Sequence, residues 1–170
     1  LPHHFVLTDE EVASQGTAAK MSPPLRTRGD VEAMVTGLGD GTIDAISTDH
    51  APHTDTEKKL PLERAPFGIV GLETALGLTL TYLVKTGALD LVSAIDKWTL
   101  SAARALRLPG GRLDLGAPGD LTILDPEESW QVDAESFQSN SMNTPFNQIR
   151  LTGKAIASVV GGEVVFSRLD

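Results

Sequence analysis

The stretch Ile43-Asp44-Ala45-Ile46-Ser47-Thr48-Asp49-His50-Ala51-Pro52-His53 decides how this chain is read. Its first part fits a short buried strand, and its polar residues gather at the C-terminal end. In parallel α/β architectures that end is where sites are built, because the loops after the strands face a common crevice. Asp49, His50 and His53 bring three groups able to bind a divalent metal or move a proton into a few positions. Strand geometry limits their cooperation, since neighbouring side chains point to opposite faces while Pro52 turns the chain. Asp49 and His53 can converge on one pocket, with His50 pointing elsewhere. A plainer reading stands beside this one, in which Asp49 caps the following turn and His53 is a surface loop residue.

Working outward, Phe5-Val6-Leu7 reads as a strand end. It is followed by Thr8 and Glu11 at the T-x-x-E spacing of a helix start. The prolines of Lys20-Met21-Ser22-Pro23-Pro24-Leu25-Arg26 predict an extended loop. Val31, Met34, Val35 and Leu38 follow the i, i+3, i+4, i+7 spacing of a short amphipathic helix. A long solvated loop runs from after His53 to about Gly71, and loops of that length are often lids. Leu72, Ala75, Leu76, Thr79, Leu80 and Leu83 then predict one helical face, with Gly87 as a stop. A second helix from Leu91 to Leu106 gathers Val92, Ile95, Thr99, Ala102, Ala103 and Leu106. From Gly110 onward the pattern turns β-like: Leu121 to Leu124, a Trp130 region, and two runs joined through Gly161-Gly162, a hairpin signal because primed turns need positive φ. The expectation is an α/β part over residues 1–108 and a β-rich part over 109–170.

Composition narrows the functional classes. The chain carries a formal charge of −9. That opposes a nucleic-acid or anionic-membrane surface, both of which need positive potential. No apolar run approaches the roughly 20 residues of a spanning helix and no signal peptide is visible, so a cytoplasmic protein is expected. Cysteine is absent and there are four histidines. Metal ligation therefore falls to imidazole and carboxylate alone. A hydrolytic zinc site takes about three protein ligands, and no H-x-H or H-E-x-x-H occurs, so a self-contained metal site is not expected. His3-His4 cannot both face one metal from a regular strand, which favours a hydrogen-bonded structural role for one of them. Trp98 and Trp130 belong to cores in the simplest reading.

Several blocks, taken in order, resemble the C-terminal part of bacterial-type (class I) dihydroorotases, members of the amidohydrolase superfamily of metal-dependent cyclic amidases. They are Leu1 to Glu10, Lys20 to Arg26, Asp40 to Asp44 leading into Thr48-Asp49-His50-Ala51-Pro52-His53, Glu57-Lys58, Ala65 to Ala75 and Asn143-Thr144-Pro145-Phe146. The resemblance runs over essentially the whole chain.

It implies the last strands and helices of a (β/α)8 TIM-type barrel plus a C-terminal segment of a small flanking β-domain. It implies zinc as cofactor, with Asp49 at the end of the eighth barrel strand as metal ligand and general acid/base. His53 and the backbone at Phe67 and Gly68 would hold the substrate, dihydroorotate or carbamoyl aspartate. Ser22 stands where the family usually has Asn, and a hydroxyl cannot present an amide's paired groups. Allantoinases and dihydropyrimidinases share the strand-end Asp-His and are the alternatives among cyclic amidases. A non-catalytic partner of aspartate transcarbamoylase is the alternative outside catalysis. Family members are about twice this length or more, so the chain reads as a fragment, inactive and zinc-poor by itself, and a candidate for homo-oligomerisation through its uncovered strand edges.

Overall fold

A computed structural model describes residues 1–169, and several of its helices begin where side chains satisfy the unpaired N–H groups of a first turn. The first helix, α1 (Glu10–Gln15), is entered through Thr8, whose N–H and hydroxyl both donate to Glu11 Oε2 at 2.6 and 2.8 Å. In α2 (Arg28–Gly39), Thr27 and Asp30 form a reciprocal capping box, and Val31 and Leu38 are buried with Met34 and Val35 half-buried. The apolar spacing predicted this helix. A third, α3 (Asp55–Lys58), is a single turn inside the stretch expected to be loop, and it too starts in a capping box, from Thr54 and Glu57.

The helical middle departs from its expected pattern. Helix α4 (Ala75–Thr79) runs on as a π-helical turn over Leu80–Val84. Leu78, Leu80 and Leu83 are buried, while Leu72 lies before the helix and is exposed. The expected helix from Leu91 to Leu106 is broken into α5 (Leu91–Trp98) and α6 (Leu100–Leu106). The break falls at Thr99, whose backbone leaves the helical region at φ −118°, ψ −95°. Val92 and Leu106, placed on the shared face, are exposed.

Beyond residue 109 the chain forms β1 (Leu121–Gln131), β2 (Arg150–Val160) and β3 (Glu163–Ser167), an antiparallel sheet in the order β1-β2-β3. Val160 pairs with Glu163 across Gly161-Gly162, both at positive φ, so the hairpin turn is the expected one. The sheet docks on α4 through two glycines. A Cβ on Gly153 would lie 2.1 Å from Leu80 Cδ1, and one on Gly77 would lie 2.8 Å from Leu151 Cδ1. Absence of side chains at both positions lets helix and strand approach closely.

Two apolar clusters result. One joins Leu7, Met21, Leu25, Ile69 and Leu78 to Val132, Phe146 and Leu151, so it draws on residues from both ends of the chain. The other gathers Phe5, Leu38, Ile46, Leu83, Leu89 and Ala94. The tryptophans border these cores and bond inward, Trp98 Nε1 to Thr79 Oγ1 at 3.0 Å and Trp130 Nε1 to the Gly153 carbonyl at 2.9 Å.

The two strands expected before residue 50 are not strands. Pro2–Phe5 is a 3-10 turn, opened by a proline whose missing N–H costs nothing there. Residues 43–49 have no strand beside them among the described residues. Their ties run instead to α5, from Ile46 N–H to the Lys97 carbonyl at 3.0 Å and from Lys97 Nζ to the Ile43 carbonyl at 2.6 Å. One parallel bridge, His50 with Ile69, is the sole sheet-like pairing in this region among the described residues. A strand exists only by its ladder, and sequence pattern alone does not supply the neighbour.

Candidate functional site

Four segments distant in sequence meet where the 43–49 stretch ends. Asp49 stands at φ 53°, the left-handed region that Asp tolerates better than most residues, and its side chain is exposed. The next residues turn back along Ile69: Ala51 N–H donates to the Ile69 carbonyl at 2.8 Å, and Gly71 N–H donates to His50 Nδ1 at 3.1 Å. His50 is thus used structurally, its Nδ1 taken up by the Gly71 N–H.

His53 and Phe67 are brought together. His53 Nε2 lies 2.9 Å from the Phe67 carbonyl. A carbonyl only accepts, so the ring carries its proton on Nε2, and Nδ1 is left for another partner. The Phe67 ring is more than half exposed, with Lys20 Nζ 4.3 Å from its centroid. Gly68 has φ 101°, and a Cβ there would lie 2.6 Å from Ala51 Cβ, so only glycine fits. Its N–H donates to the Lys20 carbonyl at 2.9 Å, while its own carbonyl accepts from Lys58 Nζ at 3.1 Å and Asn143 Nδ2 at 3.3 Å. Both polar groups of Gly68 are committed within the chain.

The bond from Gly68 to Lys20 sets the 20–24 loop against the 66–68 loop and so brings Ser22, exposed in the first, to the same region. On the other side of that loop the Pro23 carbonyl lies 2.9 Å from His4 Nε2. Burial pushes His4 down, opposed by the carbonyls of Pro23 and Pro24 and by the Asp49 charge. His3 is buried with Nε2 unpartnered, and burial, then its neighbour His4, lowers it to about 3. Of the two adjacent histidines, His4 has the hydrogen-bonded place. A cleft of about 590 Å³ opens beside it, lined by Leu1, His4, Pro23, Pro24, Arg26, Asp30, Ala33 and Met34. That cleft reaches neither His53 nor Phe67.

Three residues to which the sequence gave no role hold this region together. Asn143, buried, accepts from His53 N–H at 3.2 Å and donates to the Ala51 carbonyl at 3.0 Å as well as to Gly68. Lys20 Nζ donates to the Leu62 and Ala65 carbonyls, both at 2.6 Å. Lys58 Nζ donates to the Pro66 and Gly68 carbonyls at 3.2 and 3.1 Å. Glu73 fixes the neighbouring loop by accepting from the N–H and hydroxyl of Ser139; burial pushes its carboxyl up, but these bonds outweigh it and the net direction is down.

Among the described residues no three His, Asp or Glu side chains come close enough to hold a metal ion. Asp49 contributes one carboxylate, and zinc needs about three protein ligands, so these residues do not by themselves fit a zinc centre. Nor is any helix among them long and apolar enough to cross a membrane.

Comparison with known proteins adds the following. A family model described as the amidohydrolase family matches residues 2–165. The chain is 53% identical over 164 residues to a dihydroorotase of Pelotomaculum thermopropionicum, covering 96% of this chain and 38% of that protein. It is 50% identical to a dihydroorotase of Syntrophotalea carbinolica, over 99% of this chain and 40% of the relative. Among solved structures, an L-hydantoinase (dihydropyrimidinase) from Arthrobacter aurescens superposes with a TM-score of 0.91 at 29% identity, covering 99% of this chain and 39% of that one. A D-hydantoinase (dihydropyrimidinase) from a Thermus species gives 0.88 at 26%, over 97% and 38%. The chain thus spans about two fifths of the length of the relatives it matches.

Proposed function

This chain belongs to the amidohydrolase family, and on that premise we propose that the full-length protein carrying it is a dihydroorotase, interconverting N-carbamoyl-L-aspartate and L-dihydroorotate. The observation that carries the proposal is identity of 53% and 50% to proteins of that name, running over nearly every residue of the chain. The solved hydantoinases resemble it less in sequence, at 29% and 26%.

In this reading residues 1–108 contribute to a (β/α)8 barrel and residues 109–170 to a flanking β-domain. Asp49 is the general acid/base. Its carboxylate is exposed at the turn where the loops meet, and it can take the proton of an attacking oxygen nucleophile and return it to the departing amide nitrogen. Zinc, if bound, would be held by Asp49 together with ligands that these residues do not supply, and would contribute Lewis-acid polarisation of the ring carbonyl. His53, with Nδ1 free, and the Phe67-Gly68 loop hold the substrate, the backbone contact coming through the Phe67 N–H because the Phe67 carbonyl meets His53 and both polar groups of Gly68 are committed within the chain. Ser22, exposed two residues beyond the Lys20 carbonyl that holds Gly68, can offer a single hydroxyl.

Purified full-length protein, supplied in parallel with L-dihydroorotate, hydantoin and dihydrouracil, tests the reading. Dihydroorotate should have the highest kcat/KM. Preference for hydantoin or dihydrouracil would replace it with a dihydropyrimidinase, and inertness toward all three would favour a non-catalytic partner subunit.

A further inference from the structure

Lys58 is the one lysine or arginine buried among the described residues, and no carboxylate there forms an ion pair with it. Burying an unpaired cation is costly, so a fold that keeps one gains something specific from it. Its ammonium donates to two carbonyls, Pro66 at 3.2 Å and Gly68 at 3.1 Å, which flank Phe67. With the carbonyls on either side held by Lys58, the Phe67 carbonyl between them is left to His53, whose Nε2 lies 2.9 Å from it. Lys58 is itself fixed, since it closes a capped helical turn and its own carbonyl accepts from Thr17 Oγ1.

We infer that Lys58 is a positioning residue: by holding the carbonyls of Pro66 and Gly68 it aims the Phe67 carbonyl at His53 and so fixes the proton on Nε2, presenting Nδ1 to the ligand. This rests on the reading of His53 and Phe67 as substrate-binding groups. Asn143 supports the arrangement from the other side, through Gly68 and the His53 N–H. The lowered pKa of Lys58, caused by burial and then by the charge of Lys20, accords with its place.

The test uses full-length protein labelled with ¹⁵N-histidine, the His53 ring signals being identified by their loss in His53→Gln. In the unaltered protein the ring should show a protonated Nε2. Lys58→Met should keep the overall fold by circular dichroism, convert the His53 signals to a mixture of tautomers, and raise KM for dihydroorotate about tenfold with kcat changed less than about threefold. Should the methionine variant not fold, Lys58→Gln, which keeps a two-proton donor without the charge, is read in the same way. Unchanged His53 tautomer signals in the folded variant would overturn the inference. The tautomer reading needs no turnover, so a protein inactive toward dihydroorotate would refute the proposed function while leaving the role of Lys58 to be decided by the spectrum.

Discussion

Replacing Asn143 with alanine probes how the site is held together. Three hydrogen bonds are removed: to His53 N–H at 3.2 Å, to the Ala51 carbonyl at 3.0 Å and to the Gly68 carbonyl at 3.3 Å. Gly68 retains Lys58, but the other two groups keep no partner among the described residues. A net hydrogen bond is worth about 0.5–1.5 kcal/mol, and a buried group left unsatisfied costs about 1–3 kcal/mol. The expected loss for Asn143→Ala is therefore about 2–4 kcal/mol. Urea unfolding of the full-length protein, followed by tryptophan fluorescence and compared at equal m-value, measures it. The same variant should raise KM for dihydroorotate, because the 51–53 turn and Gly68 are no longer tied to one another. A stability change below about 0.5 kcal/mol would instead mean that water or local movement replaces all three bonds at no cost.

Gly153→Ala should destabilise by roughly 2–4 kcal/mol in the same assay, because the added methyl falls 2.1 Å from Leu80 at a φ of 91°. A pH series should show an acid-sensitive step from His3. Burial lowers it to about 3 in the folded chain from an ordinary 6.5, so between those values the unfolded chain binds the extra proton. Stability from this group is full above about pH 6.5 and falls as pH drops toward 3, and His3→Phe should flatten that part of the profile. The 170-residue chain by itself should hold no stoichiometric zinc by metal analysis and should self-associate in sedimentation, through edge strand β3 with Val164, Val165 and Phe166 exposed; a well-behaved monomer would contradict the second expectation.

Local rules were enough for some elements. Helix α2 follows from the spacing of Val31, Met34, Val35 and Leu38, and the β2-β3 hairpin from Gly161-Gly162, because each depends on residues near in sequence. Periodicity misjudged the stretch from Leu72 to Leu106, where a π-helical turn and the break at Thr99 rotate the faces and leave Leu72, Val92 and Leu106 outside. The residues 43–49 read as a strand from their composition, yet pairing is a property of the neighbour. For the proposed site, the resemblance of the ordered sequence blocks pointed to Asp49, His53, Phe67, Gly68 and Ser22. It did not single out their supports. Lys58 sits in a charged run that reads as solvated, and Asn143 lies 90 residues beyond His53, so nothing local marks their bonds to the Phe67-Gly68 loop. The nearest signal was the presence of Glu57-Lys58 and Asn143 in the same ordered blocks.

The proposed role of Asp49 is to carry the proton as the full-length protein opens and closes a cyclic amide. It is tested most directly by the rate of L-dihydroorotate ring opening in the full-length protein before and after Asp49→Asn, with zinc content and circular dichroism matched between the two. Loss of proton transfer should lower kcat by about 10²–10⁴-fold. A kcat within about threefold of the unaltered protein would mean that another group moves the proton.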